Sequence, residues 1–242
     1  MKGTYIGTSG WAYREWRPDF YPEKLSEKQF LRYYATQLNA VEVNYTFRHL
    51  LSEKTIANWL AETPENFRFV LKAHQSLTHL RRLKNVDEPL LRFLSSIQPL
   101  AAAHRLGPVL FQLPGLFQAD PETLDSFLAM LPRSLQVAFE FRHASWFEES
   151  TYEVLRKRGA ALCVAESEKI VTPEVVTADF VYFRYRKPNY TAEERASIAA
   201  DLTRIGHRKE VYGFFKHLES PESALNALYV QSRLSRSAQK AS

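Results

Sequence analysis

The sequence predicts an α/β protein, a single-domain (β/α)8 TIM barrel, from three observations. Short apolar runs alternate with amphipathic segments eight times along the chain, which is typical of parallel strands joined by helices. The length of 242 residues is close to the ~250 residues of such barrels. The first turn, Gly7 to Gly10, lacks the Gly-x-Gly-x-x-Gly pattern that an open doubly wound sheet usually carries there. We expect one domain over residues 1–234 and a frayed polar tail over residues 235–242.

Eight short apolar runs that alternate with helix signals are interpreted as strands. The expected strands cover residues 4–7, 40–44, 67–73, 108–113, 135–141, 161–164, 180–185 and 211–215. The segment 166–177 between the sixth and seventh strands shows no helical spacing and is expected to be a loop or a single turn. It is the weakest of the eight repeats.

The helices are predicted from apolar residues at helical spacing and from residues that start or stop a helix. A capping box is expected where Ser26 precedes Gln29 by three residues. The other start signals are Ser52, Asp87, Asp120 with Pro121, and Ser220 with Pro221. The stop signals are Pro64, Gly159 and Gly206, and Pro99 is expected to kink the third helix.

Composition narrows the function classes. The net charge of +5 permits binding of a polyanion without requiring it. The single cysteine, Cys163, lies in an apolar run and is expected to be a buried small side chain. No apolar run approaches the ~20 residues of a membrane helix, and the N-terminal segment enters a strand at once, unlike a signal peptide. We expect a cytoplasmic protein without a membrane partner; its oligomeric state stays open.

Polar residues gather where the predicted strands end. The richest stretch is residues 137–146, VAFEFRHASW, in which a buried strand breaks into an acid, a guanidinium and an imidazole. In a barrel the C-terminal strand ends form the mouth of the pocket, so these side chains are expected to converge there. The candidates are Glu42, Asn44, Lys72, His74, Gln112, Glu140, Arg142, His143, Glu166, Arg184, Arg186, Lys216 and His217.

Two interpretations of Glu42 and Glu140 stay open. Both alternate with apolar neighbours inside strands, where an ionised carboxylate is costly unless it is paired. One interpretation is a salt-bridge network in the upper barrel; the other is general acid/base catalysis by the pair, with His143 orienting or shuttling a proton. The cationic partners available to them are Lys72, Arg142, Arg184 and Lys216.

No metal and no cofactor are predicted. His74, Glu140, His143 and His217 are ligand types that zinc or manganese accepts. The sequence has neither a His-Glu-x-x-His motif nor a cysteine pair, and cations that would repel a metal match the acids at the strand ends.

Basic and aromatic residues together indicate a phosphate-bearing ligand. Arg142, Arg184 and Lys216 are expected to hold phosphate, and Trp11 and Trp146 are expected to contact the ligand. Aromatic side chains among basic ones suit single-stranded nucleic acid or a base stacked between rings. The aromatic residues of the first loop are Trp11, Tyr13, Trp16, Phe20 and Tyr21. The alternative is that they pack this loop onto the barrel rim.

Motifs along nearly the whole chain resemble the YecE-like family, a domain-of-unknown-function group of TIM-barrel proteins. The matching segments are IGTSGW (6–11), FYP (20–22), VEVN (41–44), TPENFRFVLKAH (63–74), LGPVLFQLP (106–114), AFEFRHASW (138–146), TADFVYFRYR (177–186) and FFKH (214–217). The chain departs from the family pattern at Arg17-Pro18, at Thr46-Phe47-Arg48 and in FFKH itself. The resemblance implies the barrel and supplies no established reaction. The family's fold looks like that of xylose-isomerase and apurinic-endonuclease barrels, an analogy that implies nucleic-acid binding.

Three hypotheses follow. The first is a barrel that binds nucleic acid or a phosphorylated small molecule at its C-terminal mouth, with acid/base hydrolysis by Glu140 or Glu42. The second is a metal-independent carbohydrate-processing enzyme, a hydrolase or isomerase, that uses the two glutamates as a pair. The third is a non-catalytic interaction module, in which every acid is locked in a salt bridge.

Overall fold

The computed structural model describes residues 3–167, 169–216 and 220–240. Eight parallel strands form one closed barrel in chain order, and β8 pairs with β1. The strands are β1 Thr4–Ser9, β2 Ala40–Val43, β3 Arg68–Lys72, β4 Leu106–Gln112, β5 Val137–Glu140, β6 Ala161–Ala165, β7 Phe180–Tyr185 and β8 Glu210–Phe215. This confirms the predicted (β/α)8 barrel, and the predicted strand ends differ from the observed ones by at most two residues.

Helices cover the outside of the barrel. The α-helices of the described chain are α1 Phe30–Gln37, α2 Glu53–Glu62, α3 Asp87–Ala102, α4 Pro121–Ala129, α5 Glu149–Arg158, α6 Ala192–Gly206 and α7 Glu222–Lys240. Between β6 and β7 the described residues contain no helix, as the sequence indicated. Helix α7 includes residues 235–240 of the expected tail, while the domain boundary at 234 stays a prediction. No helix in the described ranges is both long and apolar enough to cross a membrane.

Several start and stop signals act as predicted. Ser52 Oγ accepts the backbone N–H of Thr55 at 3.2 Å, and Asp120 caps α4. Gly159 ends α5 in the left-handed conformation, with φ of +67°, which a residue without Cβ adopts at no steric cost.

Two expectations at helix ends are wrong. Ser26 makes no side-chain cap and starts only a short 3-10 turn, so the capping box with Gln29 does not form and α1 begins at Phe30. Asp87 is the first residue of α3 rather than its cap. There its carboxylate still complements the positive end of the helix dipole.

Gly7 lets β1 approach β2 and helix α1 closely. A Cβ at this position would lie 1.9 Å from the carbonyl oxygen of Ala40 and 2.8 Å from the hydroxyl of Tyr34. That hydroxyl accepts the N–H of Thr8 at 2.8 Å and donates to the carbonyl of Ala40 at 2.9 Å. Helix α1 is thereby fixed on the two strands whose ends carry the first residues of the site.

The barrel has an inner core that is separate from the outer core between strands and helices. Alanines of β5 and β6 and aromatic rings of β7 and β8 fill much of the interior. The inner core consists of Ala40, Val70, Leu110, Ala138, Ala161, Cys163, Ala165, Ala178, Phe180, Tyr182, Tyr212 and Phe214. Cys163 is completely buried there, as predicted.

Candidate functional site

Arg184 joins two carboxylates inside the upper barrel. From β7, its guanidinium donates through Nη2 to Glu42 of β2 at 2.6 Å and through Nη1 to Glu140 of β5. All three side chains are at most 1% exposed. The structure therefore brings together three of the predicted site residues from three separate strands. We call Glu42, Glu140 and Arg184 the ion network.

Glu42 has polar partners on both of its oxygens. Ser9 Oγ donates to Oε1 at 2.6 Å, and the Tyr182 hydroxyl donates to Oε2 at 2.7 Å. Burial alone raises the pKa of Glu42, but the charge of Arg184 and these hydrogen bonds outweigh burial and lower the pKa below its usual value. The carboxylate is therefore ionised at neutral pH.

Glu140 is surrounded by still more donors. Arg186 Nη2 lies 2.9 Å from both carboxylate oxygens, Arg142 Nε lies 3.1 Å from Oε1, and Gln112 Nε2 donates to Oε1 at 2.8 Å. Burial again raises the pKa of Glu140, and the three guanidinium groups lower it further than burial raises it. The salt-bridge interpretation therefore describes this pair better than acid/base catalysis, because a general acid must retain its proton at working pH.

Two lysines, Lys72 and Lys216, lie close enough to Arg184 for its positive charge to lower their pKa values. Lys72 Nζ donates to Gln112 Oε1 at 2.8 Å and lies 4.1 Å from the centre of the Phe47 ring. Burial, followed by the charge of Arg184, lowers the pKa of Lys72 to about 8. The same two causes lower the pKa of Lys216. The Lys216 ammonium has no hydrogen-bond or ion-pair partner among the residues that the structure describes.

Cations outnumber carboxylates at this mouth. We define the mouth cations as Lys72, Arg142, Arg184, Arg186 and Lys216, which interact with one another and with Glu42 and Glu140. Glu166 lies beyond Arg186 and accepts that residue's backbone N–H at 2.6 Å. Even with Glu166 included, five cations stand against three carboxylates. The mouth is therefore electropositive.

His74 and His143 lie in two matching turns after β3 and β5. In each turn the histidine Nδ1 lies 2.8 Å from the hydroxyl of the serine two residues later, Ser76 or Ser145, and accepts that serine's backbone N–H at 3.2 Å. A neutral ring held in this way carries its proton on Nε2. Each histidine can therefore offer only Nε2 to a ligand.

An aromatic cavity opens beside the network. This cavity of about 400 Å³ is lined by Ser9, Gly10, Trp11, Ala12, Tyr13, Val43, Asn44, Tyr45, Thr55 and Trp59. Trp11 and Trp59 meet edge to face with ring centres 5.4 Å apart. The predicted contact residues Trp11 and Asn44 thus lie in this cavity rather than beside the carboxylates.

A second, basic cavity adjoins the aromatic one. It measures about 510 Å³ and is lined by Tyr45, Arg48, His49, Leu50, His74, Ser76, Arg81, Glu88, Pro89 and Arg92. Tyr45 belongs to both linings. His74 therefore points to this second cavity instead of the ion network.

Some predicted contacts are placed elsewhere. Trp146 is completely buried, stacks on Phe141 at 4.6 Å and donates its indole N–H to the carbonyl of Phe117 at 2.7 Å. It supports the loop from beneath and cannot reach a ligand at the mouth. His217 lies outside the described residues.

The aromatic residues of the first loop divide into two groups. The rings of Trp16, Phe20 and Tyr21 are buried, so they pack the loop onto the barrel as the alternative interpretation had it. Trp11 and Tyr13 are only partly buried and border the aromatic cavity.

Sequence reasoning missed Ser9, Phe47, Tyr182 and Trp59 as site residues. Tyr182 and Arg184 are two residues apart in β7, and side chains at this spacing point to the same side of a strand. That signal was available in the sequence. The positions of Phe47 and Trp59 depend on how a turn and a helix pack, which no local pattern reveals.

No group of three or more His, Cys, Asp or Glu side chains in the described ranges is arranged to hold a metal ion. The fold and the mouth define a class: a single-domain parallel barrel with buried, ionised carboxylates beneath an excess of cations. The family model described as "Protein of unknown function DUF72" matches residues 5–242, and the chain belongs to this family.

Relatives agree with this assignment. A crystal structure of a DUF72 family protein from Thermotoga maritima is similar with a TM-score of 0.86 and 31% identity, over 96% of this chain and 99% of that one. The UPF0759 protein YunF of Bacillus subtilis is 30% identical over 156 residues, 62% of this chain and 54% of YunF. The UPF0759 protein YecE of Escherichia coli K12 is 30% identical over 156 residues, 64% of this chain and 54% of YecE. The chain thus spans about half the length of these curated relatives, and the predicted YecE-like membership is confirmed.

Proposed function

We propose that the barrel mouth binds a phosphate-bearing ligand, with single-stranded nucleic acid as the first ligand to test. The observation that carries the proposal is the excess of mouth cations over carboxylates, five against three. Both carboxylates of the network are already neutralised by Arg184 and its neighbours. The remaining positive charge therefore lacks a protein counterion among the interacting groups of the described mouth.

The exposure of the mouth cations supports an anion from solution. Arg184 is inaccessible, but the side chain of Arg142 is 43% exposed and that of Arg186 is 18% exposed. A guanidinium presents several donors in one plane, which suits two phosphate oxygens. Lys72 and Lys216 have pKa values lowered by burial and neighbouring cations, and a bound anion would relieve that repulsion.

The proposal is for binding rather than hydrolysis. Both glutamates are held ionised by buried ion pairs, so neither is suited to protonate a leaving group in phosphodiester or glycosidic chemistry. The same argument disfavours the carbohydrate-processing enzyme that uses the paired glutamates. The proposal includes a cytoplasmic location, where nucleic acids and phosphorylated metabolites are available.

Oligonucleotide binding across a salt series tests the proposal. Labelled single-stranded and duplex oligonucleotides are titrated with the protein and with the double variant Arg142→Ala/Lys216→Ala. Binding should weaken as salt rises, and the variant should show lower affinity and a shallower salt slope because it contacts fewer phosphates. Small phosphorylated compounds are titrated in parallel.

The matched control removes one arginine and one lysine from helices instead of the mouth. Arg204→Ala/Lys157→Ala alters exposed side chains of α6 and α5 with the same loss of charge. Equal loss of affinity in this control, or failure of every oligonucleotide and phosphorylated compound to bind at low salt, would contradict the proposal.

A further inference from the structure

The aromatic cavity adjoins the mouth cations but differs from them in chemistry, and this juxtaposition points to a class of ligand. We propose that the aromatic cavity holds the base of a nucleotide whose phosphate lies among the mouth cations. The inference rests on the proposed function and adds the uncharged part of the ligand to it.

The lining of the aromatic cavity suits a flat, uncharged group. None of its ten described lining residues carries a charged side chain. Burial, followed by the charge of Glu42, raises the pKa of Tyr13 to about 12, so its phenol stays neutral. Trp11 presents a partly buried ring that the buried Trp59 supports edge to face, and Tyr45 is 55% exposed. Such rings stack on nucleobases of any sequence.

Asn44 adds a polar group within this aromatic lining. Its side chain is half-buried, and its amide has no hydrogen-bond partner among the residues that the structure describes. An amide offers a donor and an acceptor side by side and can pair with the edge of a base, as Asn does with adenine. The cavity thus combines a stacking surface with a group able to distinguish one base from another.

Position links the cavity to the charged part of the mouth. Ser9 lines the cavity and donates to Glu42 at 2.6 Å, so the cavity and the ion network share a wall. Tyr45 separates the aromatic cavity from the basic one. A strand longer than one nucleotide would therefore place a neighbouring phosphate beside Arg48 and Arg81, which line the basic cavity.

Calorimetric titration can separate the base from the phosphate. The four nucleoside monophosphates are compared with ribose 5-phosphate, which has the phosphate without a base, and with adenosine, which has the base without a phosphate. At least one nucleotide should bind about tenfold more tightly than ribose 5-phosphate, the effect expected of one stacked base.

Variants assign this difference to the cavity. Trp11→Ala should remove most of the gain from the base, Asn44→Ala should reduce the preference among bases, and both should leave the affinity for ribose 5-phosphate unchanged. Lys216→Ala should weaken ribose 5-phosphate and the nucleotides by the same factor. Leu91→Ala removes an exposed apolar side chain from α3 and should change none of these affinities.

The outcomes distinguish the two proposals. Equal affinity for ribose 5-phosphate and all four nucleotides, or a gain from the base that survives in Trp11→Ala, would overturn the cavity assignment and leave phosphate binding standing. Binding of adenosine without any contribution from the phosphate would support the cavity and overturn the proposed function. Failure of every compound to bind would overturn both.

Discussion

The ion network and the aromatic cavity share a wall at Ser9 but differ in how their polar groups are satisfied. In the network, both carboxylates and the guanidinium that joins them are buried and ion-paired, and Arg184 Nε alone of that guanidinium's nitrogens has no hydrogen-bond partner among the described residues. In the cavity, the rings of Trp11, Tyr13 and Tyr45 are at least partly exposed, and the Asn44 amide has no partner within the described ranges. The charges of the two network carboxylates are thus balanced within the protein, whereas the cavity offers groups that a ligand can use.

This difference separates the residues that hold the mouth from those that meet a ligand. Charged side chains inside a barrel are natural candidates for catalytic residues. Glu42 and Glu140, however, are the counterions of Arg184. Their charge sets the position of Arg184 and, through Glu140, of Arg142 and Arg186. The accessible chemistry lies around them.

The largest expected effect comes from breaking the network at its centre. Arg184→Met leaves two buried carboxylates without their shared partner, and the free energy of unfolding should fall by about 3–5 kcal/mol. Urea denaturation followed by circular dichroism measures this change. Arg204→Met, at an exposed ion pair with Asp201, should cost less than about 1 kcal/mol. A loss of less than about 1 kcal/mol in Arg184→Met would show that the network does not stabilise the fold.

A smaller effect is expected on the free energy of unfolding at low pH. The pKa values of Glu42 and Glu140 are lower in the folded protein than the ~4.3 of an unfolded chain. Below about pH 5 the unfolded state therefore binds more protons, and stability should decrease as pH falls, by about 2 kcal/mol for one such group. Urea denaturation between pH 3 and pH 7 should show a shallower decline for Glu140→Gln than for the unaltered protein. Parallel curves would contradict the role given to Glu140.

A further step down is the pH dependence of ligand binding. The Lys72 ammonium loses its proton as pH rises through about 8, so affinity for an adenine oligonucleotide should fall by about three- to tenfold between pH 7 and pH 9. Lys72→Arg keeps its charge over this range and should flatten the profile. Fluorescence anisotropy at fixed ionic strength measures both. A steep profile in Lys72→Arg would assign the titration to another group, such as Lys216.

The smallest expected effect lies in the cavity. Asn44→Ala removes an amide that has no partner among the described residues, so the free energy of unfolding should change by no more than about 0.5 kcal/mol. Thermal unfolding measures this value beside the Arg184→Met variant. A loss above about 1 kcal/mol would mean that Asn44 supports the fold, and the contrast between network and cavity would disappear.

The fold could be predicted from the sequence because its signals are local and repeated. Eight apolar runs with helix signals between them suffice to define the strand order of a barrel, and Ser52, Asp120 and Gly159 act where they were expected. Ser26 fails because a short 3-10 turn precedes α1 there. A capping pattern predicts a helix start only where the chain continues directly into helical geometry.

The candidate site could be predicted only in its composition. That Glu42, Glu140 and Arg184 meet follows from strand ends converging in a barrel, whereas the partners on each oxygen depend on side-chain packing. Trp146 shows this limit most clearly. It belongs to the same sequence motif as Glu140 at the end of β5, but its ring is buried in the core. Whether a ring stacks on a ligand or on Phe141 is decided by tertiary contacts.

The reactivity of Cys163 can be used to measure how fast the inner core opens. Cys163 is the single thiol of the chain and is completely buried among the strands. A thiol reagent can react with it only after the barrel has parted. At high reagent concentration the labelling rate therefore equals the rate at which the barrel opens. Comparing this labelling rate with and without a nucleotide at the mouth would show whether a bound ligand slows the opening of the barrel.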